Sequence, residues 1–415
     1  MRITMIAIGS TGDVRPFIIL GKELTRRGHQ VTIAAFSRFA VSVKENNLSF
    51  FPVNGDAEAF MESIMQPDTN GISYIPRFEK EIRQTVPSLI RDFEESCREA
   101  EALVCNFFGT VFYSIAEKYG IPCIQTYYFP MDPTPDMPIS SFRHQNMGRW
   151  INKATYRVGY LLIGTVEKRY LSLWRSENNL TVRKPRTYPD YRIGNHTVPV
   201  IYALSSHLIH RPPEWPDYIH MSGFWFEEAL PAGWVPPADL EAFLSEGDPP
   251  LYIGFGSMSG RKMNRLFAVI LRALHATGIR AVISTGWQNN SFSSTRQVFF
   301  TGYIPHDWLF PRVRAVIHHG GCGTTAAGLR FGRPTLIIPF AGDQPFWGYH
   351  VYHAGCGPKP IPLSDLSVAK LTKSILNLVN QRKYQENAAR VARLLSSENG
   401  TKNAADIIEK EITAW

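Results

Sequence analysis

The sequence predicts an α/β protein with two Rossmann-like domains that face each other across a cleft. The chain has 415 residues, too many for one ordinary core and enough for two domains of about 200 residues each. Short apolar runs alternate with helical patterns in both halves, which is typical of parallel sheets. A segment rich in proline and glycine, between Phe224 and Pro250, separates the two halves.

The first half opens with a continuous apolar strand, Arg2–Ile8, as expected in a sheet covered on both faces. A Gly/Ser/Thr loop follows. Pro16–Arg27 then has helical spacing, with basic residues at its end, where the helix dipole favours them. Further strands are predicted at His29–Ala35, Leu48–Pro52, Ala102–Cys105 and Pro122–Tyr127, and further helices at Phe78–Glu99, Gly109–Tyr119 and from Met147 to about Asn178.

The second half repeats the alternation. Strands are predicted at Leu251–Phe255, Ala281–Ser284, Val298–Phe300, Ala315–His318 and Thr335–Ile338, and helices at Arg261–Ala276, Thr324–Phe331, Phe346–Ala354, Ser367–Asn380 and Tyr384–Leu395. We therefore expect one domain over residues 1–228, a linker over 229–249 and a second domain over 250–400. Residues 401–415 are expected to form a helix that packs back toward the first domain.

Composition narrows the class of protein. Hydrophobic residues make up 44% of the chain and charged residues 19%, the balance of an ordinary globular protein. The longest apolar runs fall well short of the roughly 20 residues that span a bilayer, and Ile3–Ile8 is too short for a signal-peptide core. Five scattered cysteines without a C-x-x-C pair suggest neither disulfides nor zinc. We therefore expect a cytoplasmic protein. The net charge is +8, but the sequence shows no nucleic-acid-binding module, so the charge alone does not indicate a nucleic-acid partner.

The first candidate site is the loop from Gly9 to Asp13, directly after the first strand. Ligands of open α/β sheets bind at such strand ends. Glycines let the backbone approach a ligand, and a helix amino terminus offers unpaired N–H groups to an anion. Asp13 stands where it can accept a proton from an incoming hydroxyl, although Asp at this position is also a common helix cap.

Three loops of the second half have the same placement. Gly254 to Gly260, rich in Gly and Ser, is suited to cradle a phosphate, as is the segment from His318 to Thr325. His319 can donate to a diphosphate there, whereas adjacent histidines point apart and make a poor metal site. Asp343 and Gln344 form a carboxylate–amide pair suited to sugar hydroxyls. The alternative for His319 is a structural histidine at a strand end. The alternative for Asp343 and Gln344 is a simple turn before a helix.

These segments resemble a known family. The stretch Gly9-Ser10-Thr11-Gly12-Asp13-Val14-x-Pro16 looks like the amino-terminal signature of sterol glucosyltransferases and antibiotic glycosyltransferases. The stretches from Tyr303 to Phe310, from His318 to Leu329 and from Pro339 to Gly348 resemble the donor domain of sterol 3-beta-glucosyltransferases. The resemblance is strongest over residues 300–365 and weakest over 130–220. Cys322 stands where Ala or Ser is more usual.

The resemblance implies a GT-B fold and an inverting transfer from UDP-glucose to a hydroxyl of an apolar acceptor such as a sterol. It implies no metal in the active site and no cofactor, since the UDP-sugar is a co-substrate. The first domain would bind the acceptor, the second the donor, and Asp13 would be the general base. Donor binding would involve Ser10, Thr11, Gly12, Gly256, Ser257, Tyr303, Ile304, His306, His319, Gly321, Gly323, Thr324, Thr325, Asp343 and Gln344. Among these, Tyr303, Ile304 and His306 correspond to uridine contacts, and the amides of Gly323–Thr325 to diphosphate contacts.

Two other functions stay open. One is a glycosyltransferase for a polyketide, flavonoid, terpenoid or glycolipid acceptor, including a dTDP-rhamnose donor, because glycolipid rhamnosyltransferases share a similar amino-terminal loop. The other is a non-catalytic nucleotide-sugar-binding protein. The presence of Asp13 together with Asp343 and Gln344 favours the enzymes over the binding protein.

Residues 143–175 suggest a membrane contact. The segment holds seven basic residues against the single acid Glu167, with Trp and Tyr interleaved. The basic residues are Arg143, Arg149, Lys153, Arg157, Lys168, Arg169 and Arg175, and the aromatic ones are Trp150, Tyr156, Tyr160, Tyr170 and Trp174. A helix at a membrane surface has this composition. A helix with one core face and one solvated basic face has it too.

Overall fold

The computed structural model describes residues 1–55, 87–107, 109–142, 144–182, 190–227, 230, 233–256, 261–286 and 293–415, without the side chains of 162–170 and 261–262. The predictions for Ser257, Arg143, the first part of the Phe78–Glu99 helix and the side chains of Glu167, Lys168, Arg169 and Tyr170 lie outside the described residues. The described part forms two parallel sheets flanked by helices. The predicted α/β class with two Rossmann-like domains is confirmed.

The first sheet has seven parallel strands. The first nine strands of the chain are β1 (Arg2–Ile6), β2 (Gln30–Phe36), β3 (Ser49–Val53), β4 (Ala102–Asn106), β5 (Cys123–Tyr127), β6 (Arg192–Ile193), β7 (His196–Thr197), β8 (Val200–Tyr202) and β9 (Ile219–Met221). The sheet order is β3-β2-β1-β4-β5-β8-β9, while β6 and β7 form a separate antiparallel pair. β4 and β5 are buried at every residue, as expected in the middle of a sheet covered on both faces, and they include the buried polar residues Asn106, Gln125 and Thr126.

The second sheet has five parallel strands in the order β12-β11-β10-β13-β14. Its strands are β10 (Leu251–Gly254), β11 (Ala281–Ser284), β12 (Val298–Thr301), β13 (Ala315–His318) and β14 (Thr335–Ile337). In each sheet the strand order reverses once, between β1 and β4 and between β10 and β13. Ligands of open α/β sheets bind in the crevice beyond the carboxyl ends of the strands at such a reversal.

Helices cover the sheets. Those that the structure bounds are α1 (Thr11–Arg26), α2 (Ala40–Glu45), α3 (Gly109–Tyr119), α4 (Arg149–Glu177), α5 (Ala238–Ser245), α6 (Arg261–Thr277), α7 (His306–Leu309), α8 (Cys322–Arg330), α9 (Gln344–His353), α10 (Val368–Asn380), α11 (Arg382–Leu395) and α12 (Gly400–Thr413). Residues 87–96 are also helical. No helix in the described part of the chain is both long and apolar enough to span a bilayer.

α1 begins five residues before the predicted start at Pro16. Ser10 caps it, and its side chain accepts a hydrogen bond from the Gly12 amide. The cap satisfies amides that the helix itself leaves unpaired. The helix therefore includes Thr11 to Asp13, the last three residues of the predicted loop, and Asp13 lies in its first turn.

The predicted linker, residues 229–249, contains the helix α5. Leu240 and Phe243 on this helix are buried against Val282 and Phe299 of the second sheet. Their spacing of three residues places them on one helical face. The core of the second domain therefore begins before residue 250.

The carboxyl-terminal helix α12 packs on the first domain. Ala404, Ala405 and Ile408 are buried in the core of that domain. Arg27, at the end of α1, donates to Asp406 at 2.5 Å and to Glu409 at 2.7 Å. The chain thus returns to the first domain after completing the second.

Candidate active site

The loops after β1 and β4 meet at the strand-order reversal of the first sheet. Asn106, the last residue of β4, is buried, and its side chain bonds the backbone of Ile8 twice. The Ile8 amide donates to Asn106 Oδ1 at 3.0 Å, and Asn106 Nδ2 donates to the Ile8 carbonyl at 3.3 Å. These bonds fix the chain directly before Gly9. Sequence reasoning missed Asn106, although a buried polar residue ending an apolar strand is a usable signal.

Asp13 forms a reciprocal cap with Ser10. Its Oδ2 accepts from the Ser10 amide at 2.6 Å and from the Ser10 hydroxyl at 2.9 Å. Gly9 is required here, because its φ is +134° and a Cβ would lie 2.2 Å from Asp13 Oδ2. Asp13 therefore forms part of the helix cap, which the sequence analysis gave as the alternative to a proton acceptor. Both hydrogen bonds to its carboxylate use Oδ2, and Oδ1 accepts none from the described residues.

Burial raises the pKa of Asp13 to about 6, against the lowering effect of the two Ser10 hydrogen bonds. A raised carboxylate pKa makes a better proton acceptor, provided the group stays ionised at working pH. Capping and base catalysis are compatible here, because the cap holds the carboxylate in one orientation. Ser10 was predicted among the donor-binding residues, but its hydroxyl is hydrogen-bonded within this cap. Thr11 and Gly12, next to it, are exposed.

His319 lies at the matching position of the second sheet, just after β13. Its ring packs against two glycines: a Cβ on Gly321 would lie 2.7 Å from His319 Nε2, and a Cβ on Gly256 3.2 Å from Cε1. Burial lowers the pKa of His319 to about 4, partly offset by the Gly254 carbonyl. The ring is neutral at pH 7 and has a single N–H. Its Nδ1 has no hydrogen-bond partner among the described residues, so the N–H is available to a ligand in the tautomer that carries it on Nδ1. The preceding His318 is fully buried and accepts from the Gly320 amide at 3.0 Å, so it is structural.

The helix α8 begins beside His319, with Gly321 as its cap residue. The first three amides of a helix have no partner within it, so those of Cys322, Gly323 and Thr324 are the available donors. The amide of Thr325 instead donates to the Gly321 carbonyl at 3.0 Å, and its hydroxyl to the same oxygen at 2.9 Å. Both groups of Thr325 are thus used within the first helical turn, which leaves the amides of Gly323 and Thr324 as the donors for the predicted diphosphate contact.

Asp343 and Gln344 stand at the start of α9, Asp343 as its cap residue and Gln344 as its first residue. Asp343 accepts from the Trp347 indole at 2.8 Å, and burial raises its pKa to about 7. Gln344 Oε1 accepts from the amides of Phe340 and Ala341 at 2.7 and 3.2 Å. The Gln344 amide oxygen therefore holds the loop, and its NH2 group is the part suited to a sugar hydroxyl.

The two domains meet at this crevice. The helices α1 and α8 contact each other. The negative charge of Asp13 helps to raise the pKa of Asp343 and of the Cys322 thiol, so the three groups are close across the cleft. Trp347 is fully buried, with its ring centre 5.9 Å from that of Phe224, at the end of the first domain. The Asp13 turn and the turn that begins α8 therefore lie at the same crevice between the two domains.

The three predicted uridine positions differ in character. The ring of Tyr303 is 59% exposed, as a stacking platform for a base would be. The side chain of Ile304 is buried in the core with Trp308, so only its backbone can face a nucleotide. The ring of His306 stacks on Phe310 at 4.3 Å, and burial, with Arg15 and His319 nearby, lowers its pKa to about 3.

The chain matches two described families in separate segments. Residues 3–134 match the glycosyltransferase family 28 N-terminal domain. Residues 283–410 match the erythromycin biosynthesis protein CIII-like, C-terminal domain. The first match covers the Asp13 turn, and the second covers the turns of His319 and Asp343.

Curated relatives match along nearly the whole chain. Two sterol 3-beta-glucosyltransferases of Arabidopsis thaliana, UGT80A2 and UGT80B1, are 33% and 31% identical over 99% of this chain. A sterol 3-beta-glucosyltransferase of Candida albicans is 29% identical over the same share. The chain spans 66% and 68% of the lengths of the two plant proteins and 28% of the length of the Candida protein.

Solved structures show the same fold. The glycotransferase of kitacinnamycin has a TM-score of 0.72 at 17% identity, over 99% of both chains. The calicheamicin glycosyltransferase CalG4 has a TM-score of 0.70 at 17% identity, over 100% of this chain and 98% of its own. Given these matches, the chain belongs to the glycosyltransferase family that includes the sterol 3-beta-glucosyltransferases, and its two domains form a GT-B fold.

Proposed function

We propose that this chain is an inverting glycosyltransferase that moves glucose from UDP-glucose to a hydroxyl of an apolar acceptor of the sterol class. The observation that carries the proposal is the meeting of the Asp13 turn with the His319–Gly321 turn across one crevice. The sterol and glucose assignments rest on the names of the relatives. The plant proteins are called sterol 3-beta-glucosyltransferases, and the chain matches them over almost its whole length.

The chemistry follows from the proposed roles. An aliphatic hydroxyl is a poor nucleophile near neutral pH, and a carboxylate that takes its proton contributes about 10²–10⁴-fold. Asp13 would accept that proton while the acceptor oxygen bonds the anomeric carbon and the bond to the diphosphate breaks. Attack opposite the leaving group inverts the anomeric centre, so an α-linked donor gives a β-glucoside.

Negative charge builds on the diphosphate as it leaves. The free amides at the start of α8 and the N–H of His319 would stabilise it, since fixed donors act strongly in a crevice shielded from water. These groups take the place of a metal ion, and we propose a metal-independent transfer. Asp343 and the Gln344 NH2 group would hold the sugar hydroxyls.

A panel of donors and acceptors tests this function directly. Release of the nucleoside diphosphate, UDP from UDP-glucose or dTDP from dTDP-rhamnose, is measured against sterols, flavonoids and macrolides, in buffer with excess EDTA. We expect sterol-dependent release of UDP from UDP-glucose, unchanged by EDTA, with a β-linked product by NMR. Transfer only to a flavonoid or a macrolide, or only from dTDP-rhamnose, would replace the sterol assignment. Tight UDP binding without release for any acceptor would identify a binding protein.

We further propose that α4 touches a membrane surface. Its Asn152, Thr155 and Tyr156 are buried, so one face of the helix belongs to the core. On the other side Trp150 is 89% exposed, and exposed apolar residues continue along that side at Ile151, Val158 and Leu161, with Lys153 and Arg157 interleaved. Apolar residues flanked by cations suit an anionic lipid surface, and an apolar acceptor would come from such a surface.

Liposome flotation tests the membrane contact. Wild-type protein is expected to float with vesicles of phosphatidylcholine and phosphatidylserine and less well with phosphatidylcholine alone. The double variant Trp150→Ser/Ile151→Ser should lose most of this binding, because it removes two exposed apolar side chains at the start of α4. Val41→Ser, at an apolar residue of α2 that is 66% exposed, is the matched control and should float like wild type. Equal flotation of all three proteins, or none for wild type, would refute the contact.

A further inference from the structure

Arg15 connects the two domains at the crevice. It lies two residues after Asp13 on the first turn of α1, yet its side chain reaches the second domain. Its Nη1 donates to the hydroxyl of Tyr303, and its guanidinium carbon lies 5.4 Å from the centre of that ring. Its Nη2 donates to Glu227 Oε2 at 2.9 Å. Sequence reasoning gave Arg15 no role.

Glu227 holds Arg15 in place. The Glu227 carboxylate is 13% exposed, and its second oxygen lies 3.4 Å from Lys22 Nζ. Its backbone carbonyl accepts from Arg330 at 3.1 Å, and Arg330 also pairs with Asp307 at 3.2 Å. Glu227 is thus anchored by residues of both domains. A guanidinium fixed by a carboxylate can orient a second partner, because its donors form a rigid fork.

Tyr303 is the partner that this fork orients. More than half of the residue is exposed, so the ring depends on few neighbours for its position. The bond from Arg15, together with the cation–π contact, restricts it. Restricting a side chain in its binding conformation before the ligand arrives improves affinity, since less freedom is lost on binding.

We propose that Arg15 is a donor-positioning residue, contributed by the acceptor domain, that holds the Tyr303 ring ready to stack against the base of a nucleoside diphosphate. The inference rests on the proposed function, in which the second domain binds a UDP-sugar. Arg15 acts through Tyr303 and takes no part in the transfer itself. Its loss therefore weakens nucleotide binding and raises the donor KM, while kcat at saturating donor and the acceptor KM change little.

Calorimetric titration with UDP tests the proposal. Arg15→Ala is expected to weaken UDP binding by about tenfold, the loss of one charge-assisted hydrogen bond and a cation–π contact. Arg15→Lys keeps the cation but not the fork and should give an intermediate affinity. Lys22→Ala, which removes a longer contact to Glu227 and none to Tyr303, is the matched comparison and should weaken UDP binding less than Arg15→Ala does. In a Tyr303→Phe background the effect of Arg15→Ala should shrink, since both changes remove the same bond.

Two results would overturn the inference. One is a UDP affinity of Arg15→Ala within twofold of a wild type that binds UDP. The other is a loss in kcat at saturating donor with an unchanged donor KM, which would place Arg15 in the chemical step. A wild type without measurable UDP binding would remove the proposed function, and this inference with it. Should Arg15→Ala fold poorly, the donor KM of Arg15→Lys decides by the same criterion.

Discussion

Asp13→Asn is expected to lower the rate of sugar transfer by about 10²–10⁴-fold, the contribution of a positioned general base. The asparagine keeps an oxygen that can accept the Ser10 hydrogen bonds but cannot take a proton from the acceptor. UDP binding should stay close to wild type, because the proposed nucleotide contacts lie in the second domain. Turnover with saturating donor and calorimetry with UDP measure the two expectations.

Capping must be separated from catalysis, because Asp13 does both in our interpretation. Loss of a helix cap costs about 0.5–2 kcal/mol of folding stability. Ser10→Ala weakens the same cap but keeps the carboxylate. It should lower the thermal unfolding temperature at least as much as Asp13→Asn does, because it also removes the acceptor of the Gly12 amide, yet retain at least a tenth of wild-type turnover. Transfer by Asp13→Asn within tenfold of wild type would refute the base assignment.

The pH profile gives an independent measure of the same group. Burial raises the Asp13 pKa to about 6, and a general base works in its deprotonated form. The rate should therefore be level above pH 7 and fall about tenfold per unit below pH 6. Asp343, with a pKa near 7, should add a rise in donor KM as the pH falls, because its carboxylate would accept sugar hydroxyls. A profile of kcat and of donor KM between pH 5 and 9 resolves the two groups.

Local pattern was enough to predict most elements of the fold. The bounds of α3, β11 and β13 match the predictions, because apolar runs of four or more residues leave little choice in a buried parallel sheet. The two short strands β8 and β9 were missed. They have three residues each and follow a segment with many prolines, so the pairing of β8 with β5 and of β9 with β8 is decided by the sheet and not by the local sequence.

The candidate site was predictable only in part, for a similar reason. The position of Asp13 and His319 at strand ends follows from the sequence, since parallel strands present their carboxyl ends at one edge. The groups that each side chain contacts do not follow from the sequence in the same way. The amide and hydroxyl of Thr325 bond within their own helical turn, the side chain of Ile304 is buried in the core, and the side chain of Arg15 contacts the other domain. Each outcome depends on neighbours that are distant in sequence.

His319 shows how much the second domain is expected to contribute to the reaction. Replacing it with alanine should lower kcat/KM for transfer by about 10²-fold, in the range found when one donor to a developing negative charge is removed. The effect should be larger on transfer than on UDP-glucose binding, because the diphosphate gains charge only as the bond to the sugar breaks. Rates with saturating and limiting donor separate the two contributions.

The neutral state of His319 sharpens this prediction. With a pKa near 4 the ring carries no charge at pH 7, so it would act as a hydrogen-bond donor and not as a cation. His319→Asn, which keeps a neutral N–H donor, should therefore recover part of the activity that alanine loses, whereas His275→Ala on the exposed end of α6 should change nothing. Equal loss in the alanine and asparagine variants would contradict a donor role.

Gly321→Ala tests the position of the same ring. The glycines around the imidazole leave no room for a Cβ on Gly321, so this change should displace the ring and lower transfer without any change in charge.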